Sequence, residues 1–394
     1  MIVTKDKCVG CGLCSVLCPF ESIKMQRDQL GYRYPMVDNE TCKKCNICKR
    51  NCPQLRENIH QDCNRDFGTK CYVAVNKDSS IAFASSSGGA VTALIDSFPR
   101  NEDVWICAAA YDNDFTVRHE LVESGKDFSK FRKSKYVQSD TFQCFTVIKE
   151  RLSMGCIVVY IGTPCQVDAL KTYLGRKDDR LYTIDVLCTG VGSPALLDLH
   201  IRFLQNKRKK KVISYDMRSK VQRRDKSWNV MDCSIGYSDD TSEKNPIYKK
   251  MFKEIFYKHI SLRPSCYSCK YKSRERMGDI TIGDWWGDVT PIRDEYQGAS
   301  AVIINSNKGQ ELFAKAESKL DYFTVGYDEI IAQQPALREK NMPMRSINMI
   351  KENEILKFML KNAAPEPVEI IKSVVKMCLP SGIKNKIIEF KKQL

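Results

Sequence analysis

Eight cysteines near the start of the chain fall into two runs of one cadence. Cys8, Cys11, Cys14 and Cys18 read CxxCxxCxxxCP, and Cys42, Cys45, Cys48 and Cys52 repeat it, with Pro19 and Pro53 closing the runs. A loop this tight lets three thiolates take three corners of an iron–sulfur cubane while the fourth cysteine reaches a second cubane. Cys8, Cys11, Cys14 and Cys52 are therefore expected to hold one 4Fe-4S cluster, and Cys42, Cys45, Cys48 and Cys18 another. Zinc knuckles use two CxxC pairs or histidines instead of four cysteines in this cadence. Two clusters this close make a wire for electrons rather than a catalyst.

Four further cysteines sit where a fold could gather them. Cys165 ends the stretch IVVYIGTPCQ (residues 157–166), in which an apolar run meets a sharp Gly-Thr-Pro turn. Cys188 follows a second apolar run in LYTIDVLCTG, and Cys266 and Cys269 form a CxxC in RPSCYSCKYK. Two singles and a pair supply four thiolates, the number for a third 4Fe-4S cluster or a structural zinc. The competing reading of each single cysteine is a small buried hydrophobe. A redox CxxC normally opens a helix in a thioredoxin-like unit, a setting not evident here. Cys63, Cys71, Cys107, Cys144, Cys156, Cys233 and Cys378 are left as free thiols.

The elements that must position these residues read as an α/β alternation. Residues 70–75, 103–109, 156–161, 181–187 and 279–283 are short β-branched or aromatic runs bounded by turn signals, which suits buried strands. Residues 90–97 and 166–174 read as helices between them. The expected fold class is α/β (α+β), a mixed or parallel sheet covered by helices behind a small N-terminal domain. Working residues of such sheets collect at the carboxyl ends of strands, so Cys165 and Cys188 are expected to share one crevice.

The 394 residues suffice for two or three units, and 43% hydrophobic with 28% charged residues argues for a folded protein. Nineteen cysteines without an apolar signal region in residues 1–7 point to a reducing cytosol and metal-bound thiolates. The longest uncharged run, residues 154–167, is too short to cross a bilayer. The formal charge of +15 overstates the folded value, because cluster thiolates add negative charge. Nucleic-acid binding would need a reading module, and none is recognisable.

In order, IGTPCQVDAL, VLCTGVGSP, RPSCYSCKYK and DITIGDWWG resemble the motifs of the coenzyme F420 hydrogenase and dehydrogenase beta-subunit family. The likeness covers roughly residues 69–305 and is similar to members fused to a two-cluster bacterial ferredoxin module. It implies a flavoprotein domain that exchanges hydride between FAD and coenzyme F420 or another organic substrate, and single electrons with 4Fe-4S clusters or a ferredoxin. It implies Cys165, Cys188, Cys266 and Cys269 as ligands of a third cluster. By the same likeness SSSGGAVTALIDSF (residues 85–98) supplies Ser87, Gly88, Gly89 and Thr92 to FAD, KSKYVQS (residues 133–139) adds Lys135 and Tyr136, and the strand-end turn adds Thr163 and Pro164. Alone, residues 85–98 are an ordinary serine-and-glycine helix cap, not GxGxxG. One departure is Thr189, where many bacterial relatives carry histidine after the cysteine, so any proton delivered there must come from another group or water.

The implied domains are 1–62, a two-cluster ferredoxin; 63–335, the FAD and cluster-binding unit; and 336–394, a helical extension. The four histidines, at 60, 119, 200 and 259, have no motif around them and are read as structural. Residues 207–211 (KRKKK) and 218–226 are either solvated loops or attractors of an acidic ferredoxin or an anionic substrate. Ile370, Ile371, Val374, Val375, Cys378 and Leu379 fall on one helical face that would pack on its own domain, on a partner or on a membrane surface. The alternatives to a self-contained reductase are an electron-transfer subunit of a larger hydrogenase or dehydrogenase, a reductase in polysaccharide precursor synthesis, and a structural metal scaffold.

Overall fold

The computed structural model describes residues 2–56 and 70–334, apart from 100, 176, 224, 225, 294 and 296, together with 357 and 361. The C-terminal helical face therefore lies outside the described residues, as do Cys63, His60 and Cys378.

Residues 2–56 form a small module in which each cysteine run builds the same short unit. Helix α1 (Leu13–Val16) follows Gly12 in the left-handed region (φ +74°), and α2 (Ile47–Arg50) follows Asn46 (φ +60°). These turns fold the chain so that Cys11 and Cys14, and likewise Cys45 and Cys48, stand around one space. The hairpin of β1 (Ile23–Arg27) and β2 (Arg33–Val37) links the two units, with Ile23 opposite Val37.

The rest of the chain is built on an eight-stranded mixed sheet. Its elements in chain order are β3 (Cys71–Asn76), α3 (Ser79–Ala84), α4 (Ala90–Ile95), β4 (Val104–Tyr111), β5 (Val117–Glu123), α5 (Phe142–Ser153), β6 (Ile157–Gly162), α6 (Pro164–Leu174), β7 (Leu181–Val186) and α7 (Pro194–Arg208). A separate hairpin, β8 (Val212–Gln222) and β9 (Trp228–Tyr237), follows with α8 (Pro246–Tyr257). The sheet then resumes with β10 (Ile280–Trp285), β11 (Ala299–Ile304), α9 (Asn307–Ala316), β12 (Leu320–Val325) and α10 (Tyr327–Gln333).

The strand order is β12-β3-β11-β10-β7-β6-β4-β5, with β4, β6, β7 and β10 parallel and the remaining pairs antiparallel. All six residues of ASAVII in β11 are buried, as a strand covered on both faces requires. Val159, Ile184, Ile280 and Val302 pack with Leu94, Leu312 and Phe313 of the helices on one face. Tyr160, Val158 and Cys107 pack with Phe145, Ile148 and Val167 on the other. The five expected strands are present within one or two residues of their expected ends, and the mixed sheet is the one the sequence called for.

One expectation changes, and one contact is added. Only part of the 218–226 stretch is solvated: it starts in β8, where Arg218 and Lys220 are buried, while Arg223 and Lys226 beyond the strand are exposed. The small module also docks closely on the rest of the chain. Buried Arg263 donates through Nε to the Cys8 carbonyl (2.6 Å), through Nη1 to Gln138 Oε1 (2.7 Å) and through Nη2 to the Arg33 carbonyl (2.9 Å). Its guanidinium also lies over the Tyr34 ring, 4.3 Å from the centroid. Tyr32 donates to the Ser261 carbonyl (2.6 Å), Arg33 pairs with Asp140 (2.6 Å) and Arg56 with Asp168 (2.8 Å). A side chain at Gly12 would put its Cβ 2.3 Å from that of Phe142, so the contact is close enough to demand glycine.

Candidate metal centres

Three cavities gather the twelve cysteines in sets of four. One is lined by Cys8, Cys11, Cys14 and Cys52, and a second, of about 200 Å³, by Cys18, Cys42, Cys45 and Cys48. The exchange of Cys18 and Cys52 between the two runs is thus present in the fold, because each follows its own short helix toward the other unit. The third cavity is lined by Cys165, Cys188, Cys266 and Cys269.

The sheet explains the third set. β6 and β7 are parallel neighbours with Gly162 opposite Asp185, so the residues after them leave the sheet at the same edge. After β6, Thr163 caps α6 in a capping box with Gln166, whose Oε1 accepts from Thr163 N at 2.9 Å, and Cys165 follows in the first turn. Thr163 Oγ1 lies 3.1 Å from Cys165 Sγ. After β7, the chain bends so that Cys188 Sγ faces the Gly190 carbonyl at 3.7 Å. Cys266 and Cys269 precede β10, which pairs with β7 on its other side.

Two buried carboxylates fix these parts relative to each other. Asp185 in β7 pairs with Arg276 (3.1 Å) and accepts from the amides of Met277 (2.9 Å) and Gly278 (3.0 Å) and from Thr281. It thereby ties the Cys188 strand to the segment that follows the CxxC. Asp168 in α6 accepts from Tyr271 Oη (2.6 Å) and from Arg56 (2.8 Å), joining the Cys165 helix, the CxxC segment and the small module. A buried carboxylate satisfied on this many sides holds geometry well, whatever its net contribution to stability. Sequence reasoning missed both, because nothing near a lone aspartate in an apolar run names its distant partner.

Burial pushes the thiols up: Cys188 to about 11, Cys266 to about 12, and Cys165 well above the ordinary range, with the neighbouring thiols of the same set adding to each. Burial raises Cys11 to about 12 in the same way. Thiols so placed are costly as bare thiolates and favour a cation that takes their charge. Among the described residues no group of three His, Cys, Asp or Glu is gathered tightly enough to hold a single metal ion. Tetrahedral zinc at 2.3 Å draws its sulfurs to within about 4 Å of one another. A cubane asks for more room, since each thiolate binds a different iron. The all-cysteine donor set fits 4Fe-4S.

Cys11, Val9 and Gly10 line the third cavity as well as the first. The inner site of the small module and the strand-end site therefore share a wall.

The residues expected to hold FAD do not converge on one place. Thr163 and Pro164 line the third cavity beside the cysteines. Gly88 N donates to Ser300 Oγ (3.0 Å), and a Cβ at Gly88 would stand 2.2 Å from the Ala74 carbonyl, so this glycine is required by packing against β3 and β11. Ser87 donates to the Ala299 carbonyl, Gly89 precedes a helix of only six residues, and Thr92 is buried. Lys135 lines a cleft of about 830 Å³ with Tyr111, Lys133, Lys211 and Tyr215. Burial pulls its ammonium down to about 8. Tyr136 stacks on Phe256 (4.6 Å) and shares a hydrogen bond with Tyr257 (2.7 Å). Residues 86 and 134 do meet, through Ser134 N and Ser86 Oγ (2.8 Å). Beside them buried Arg218 pairs with Asp284 of the DWWG segment and donates to the Ser86 carbonyl (2.8 Å). Sequence reasoning passed over Arg218, because an arginine in a basic stretch reads as solvated.

Thr189 lines the third cavity. His119 and His200 are buried and hydrogen-bonded to the Ile161 and Tyr248 carbonyls at 2.9 and 2.6 Å. Of the free thiols, Cys71, Cys107, Cys144, Cys156 and Cys233 are buried. No helix among the described residues is long and apolar enough to cross a membrane.

Comparison with known proteins agrees with the cysteine geometry. Residues 157–328 match the family described as the C terminus of the coenzyme F420 hydrogenase/dehydrogenase beta subunit, and residues 1–24 match the 4Fe-4S binding domain. A coenzyme F420-dependent sulfite reductase of Methanocaldococcus jannaschii is 23% identical over 323 residues, 81% of this chain and 47% of its own length. An uncharacterised ferredoxin of the same organism is 38% identical over 53 residues, 14% of this chain and 68% of its own. The delta subunit of the NADH-dependent phenylglyoxylate dehydrogenase of Aromatoleum evansii is 34% identical over 55 residues, 14% of this chain and 54% of its own. The chain thus spans about half the length of the sulfite reductase and of the delta subunit. A chain from the F420-reducing nickel–iron hydrogenase complex of Methanosarcina barkeri aligns with a TM-score of 0.45 at 17% identity, over 68% of this chain and 89% of that one, a likeness too low to carry weight. The match over residues 157–328, with all four strand-end cysteines inside it, identifies that stretch as a C-terminal domain of the coenzyme F420 hydrogenase/dehydrogenase beta-subunit family, behind an N-terminal 4Fe-4S binding domain.

Proposed function

We propose that this chain is an iron–sulfur oxidoreductase whose three 4Fe-4S sites follow one another from the loop of residues 42–52 to the crevice beyond β6 and β7. The observation that carries this reading is Cys11, which lines both the inner site of the small module and the strand-end site. When bound, the clusters supply one-electron carriers. The chain's own residues do the rest. Arg263, Tyr32 and Arg56 hold the module against the crevice and keep water from the shared wall, while Asp185 and Asp168 fix the Cys188 strand and the Cys165 helix. The working division is a module of residues 1–62, a main unit of 63–335 and an extension of 336–394.

The reading extends to FAD and a hydride-exchanging organic substrate, coenzyme F420 or another. What supports it is the family and the cleft beside Lys135, whose volume of about 830 Å³ falls in the range of cofactor pockets. Lys133, Lys135 and Lys211 would offer charge to phosphates, and Tyr111 and Tyr215 flat surfaces to rings. Gly88 and Gly89 would then serve the fold and not the pyrophosphate. A second reading, an electron-transfer subunit of a larger complex, is favoured by the partial coverage of the relatives.

The test is a Cys165→Ser chain followed by anaerobic stopped-flow. It should retain flavin and accept hydride from a competent donor, while bleaching of the module's cluster bands slows greatly. Undiminished bleaching with the third cluster absent would sink the relay.

A further inference from the structure

The two cysteine runs share a cadence and little else. Between Cys8 and Cys18 the chain carries no lysine, arginine, aspartate or glutamate, and this loop is pressed against the main unit through Cys8, Val9 and Gly12. Between Cys42 and Cys52 stand Lys43, Lys44, Lys49 and Arg50 with no acid, and all four are exposed. None of them forms an ion pair with a described residue. Lys43, Lys44 and Lys49 line the outer cavity with Cys18, Cys42, Cys45 and Cys48, and Phe20 stands at its rim with 43% of its surface exposed. Cys45 is exposed, whereas the other eleven cysteines of the three sets are buried or half-buried.

Four like charges crowded on one loop repel each other, and the fold returns them no ion pair with a described residue, only a hydrogen bond from Arg50 to the Cys45 carbonyl (3.3 Å). Nor does a cluster need them for charge balance, since the inner loop of the same cadence has none. The other basic stretch of the molecule is partly neutralised, as Arg208 pairs with Glu243 (2.6 Å) and Lys210 with Asp239. Among the described residues, the exposed cations, the apolar rim and the accessible thiol coincide at the outer site.

Resting on the three-site reading above, we propose that the face formed by Lys43, Lys44, Lys49, Arg50 and Phe20 is the docking surface for a small acidic iron–sulfur carrier protein. Positive charge around the outer site steers a carboxylate-rich partner into contact and sets orientation more than lasting affinity. Phe20, at the cavity rim, supplies an apolar contact. One electron crosses between the carrier's iron centre and the cluster held by Cys18, Cys42, Cys45 and Cys48, one oxidised as the other is reduced, with no bond made or broken.

The test uses oxidised holoprotein and an oxidised acidic 2Fe-2S ferredoxin of the plant type, so that binding is read without turnover. Calorimetric titration should show affinity falling roughly tenfold or more between about 20 mM and about 300 mM salt. Carbodiimide crosslinks should map to Lys43, Lys44 or Lys49. A Lys43→Glu, Lys44→Glu, Lys49→Glu chain with unchanged iron should bind roughly tenfold more weakly or worse, and a Lys207→Glu, Lys209→Glu chain should bind as the parent does. Salt-independent binding, crosslinks confined to residues 207–211, or a triple variant that only alters the cluster's spectrum would overturn the proposal. If the triple variant loses iron, the salt dependence and crosslink map of the parent decide. Low iron in the parent would count against the three-site reading; full iron without binding would count against the docking face.

Discussion

Cysteine spacing tells most at the scale of single residues. The grouping of the eight N-terminal cysteines was legible because their runs are local, and the fold gathers them around two cavities in the same crossed sets. Cys165, Cys188, Cys266 and Cys269 were legible only through strand ends and family motifs, since no spacing joins residues 165 and 269. The buried polar residues were not legible. His200 shows why: between the Tyr248 carbonyl and Tyr215 Oη (3.1 Å) it is held neutral, and burial pulls its pKa down to about 4. An unfolded chain would protonate it near 6.5, so the unfolded state binds the extra proton first, and stability falls as the pH drops from about 6.5 to 4. Replacing His200 by Asn should therefore remove part of the acid loss, on the order of 2 kcal/mol, while lowering stability at pH 7 through lost packing. Urea unfolding of both chains at pH 5 and pH 7 checks the difference; an equal acid loss in both contradicts it.

At the scale of elements, the strands followed their apolar runs, but the module's docking had only a faint signal. The uncharged loop between Cys8 and Cys18 could have revealed it, since a surface loop seldom lacks charge. Hairpin β8–β9 was hidden for the opposite reason, because Arg218 and Lys220 made a strand look solvated. Arg263 now carries a prediction. Cutting it to Met leaves the Cys8 and Arg33 carbonyls and Gln138 short of a buried donor, at a cost of roughly 1–3 kcal/mol for each group left unpaired. The module should loosen without losing its own clusters, so hydrogen exchange in residues 2–56 should rise while about eight irons stay with those two sites. Parental exchange in the variant would mean that the docking rests elsewhere. Asp185→Asn should act similarly at the strand-end site, lowering iron there and sparing the module, because Asp185 links β7 to the segment after the CxxC.

Across the whole molecule, a mixed sheet brings two strand ends and a CxxC together, and a ferredoxin-like module closes the crevice with its least charged loop. On the proposed reading, electrons pass between an exposed basic loop and a buried strand-end site. Gly88 does not test the flavin side of this route, because a bulkier residue there strikes the Ala74 carbonyl and disturbs β3 whether or not FAD is bound. The strand-end cluster is the claim on which the route depends. Iron and acid-labile sulfide should be counted in anaerobically purified parent and Cys266→Ser chains, with zinc measured alongside. Three cubanes predict about twelve irons in the parent and about eight in the variant. About eight irons in both, or eight irons and one zinc in the parent, would contradict the account.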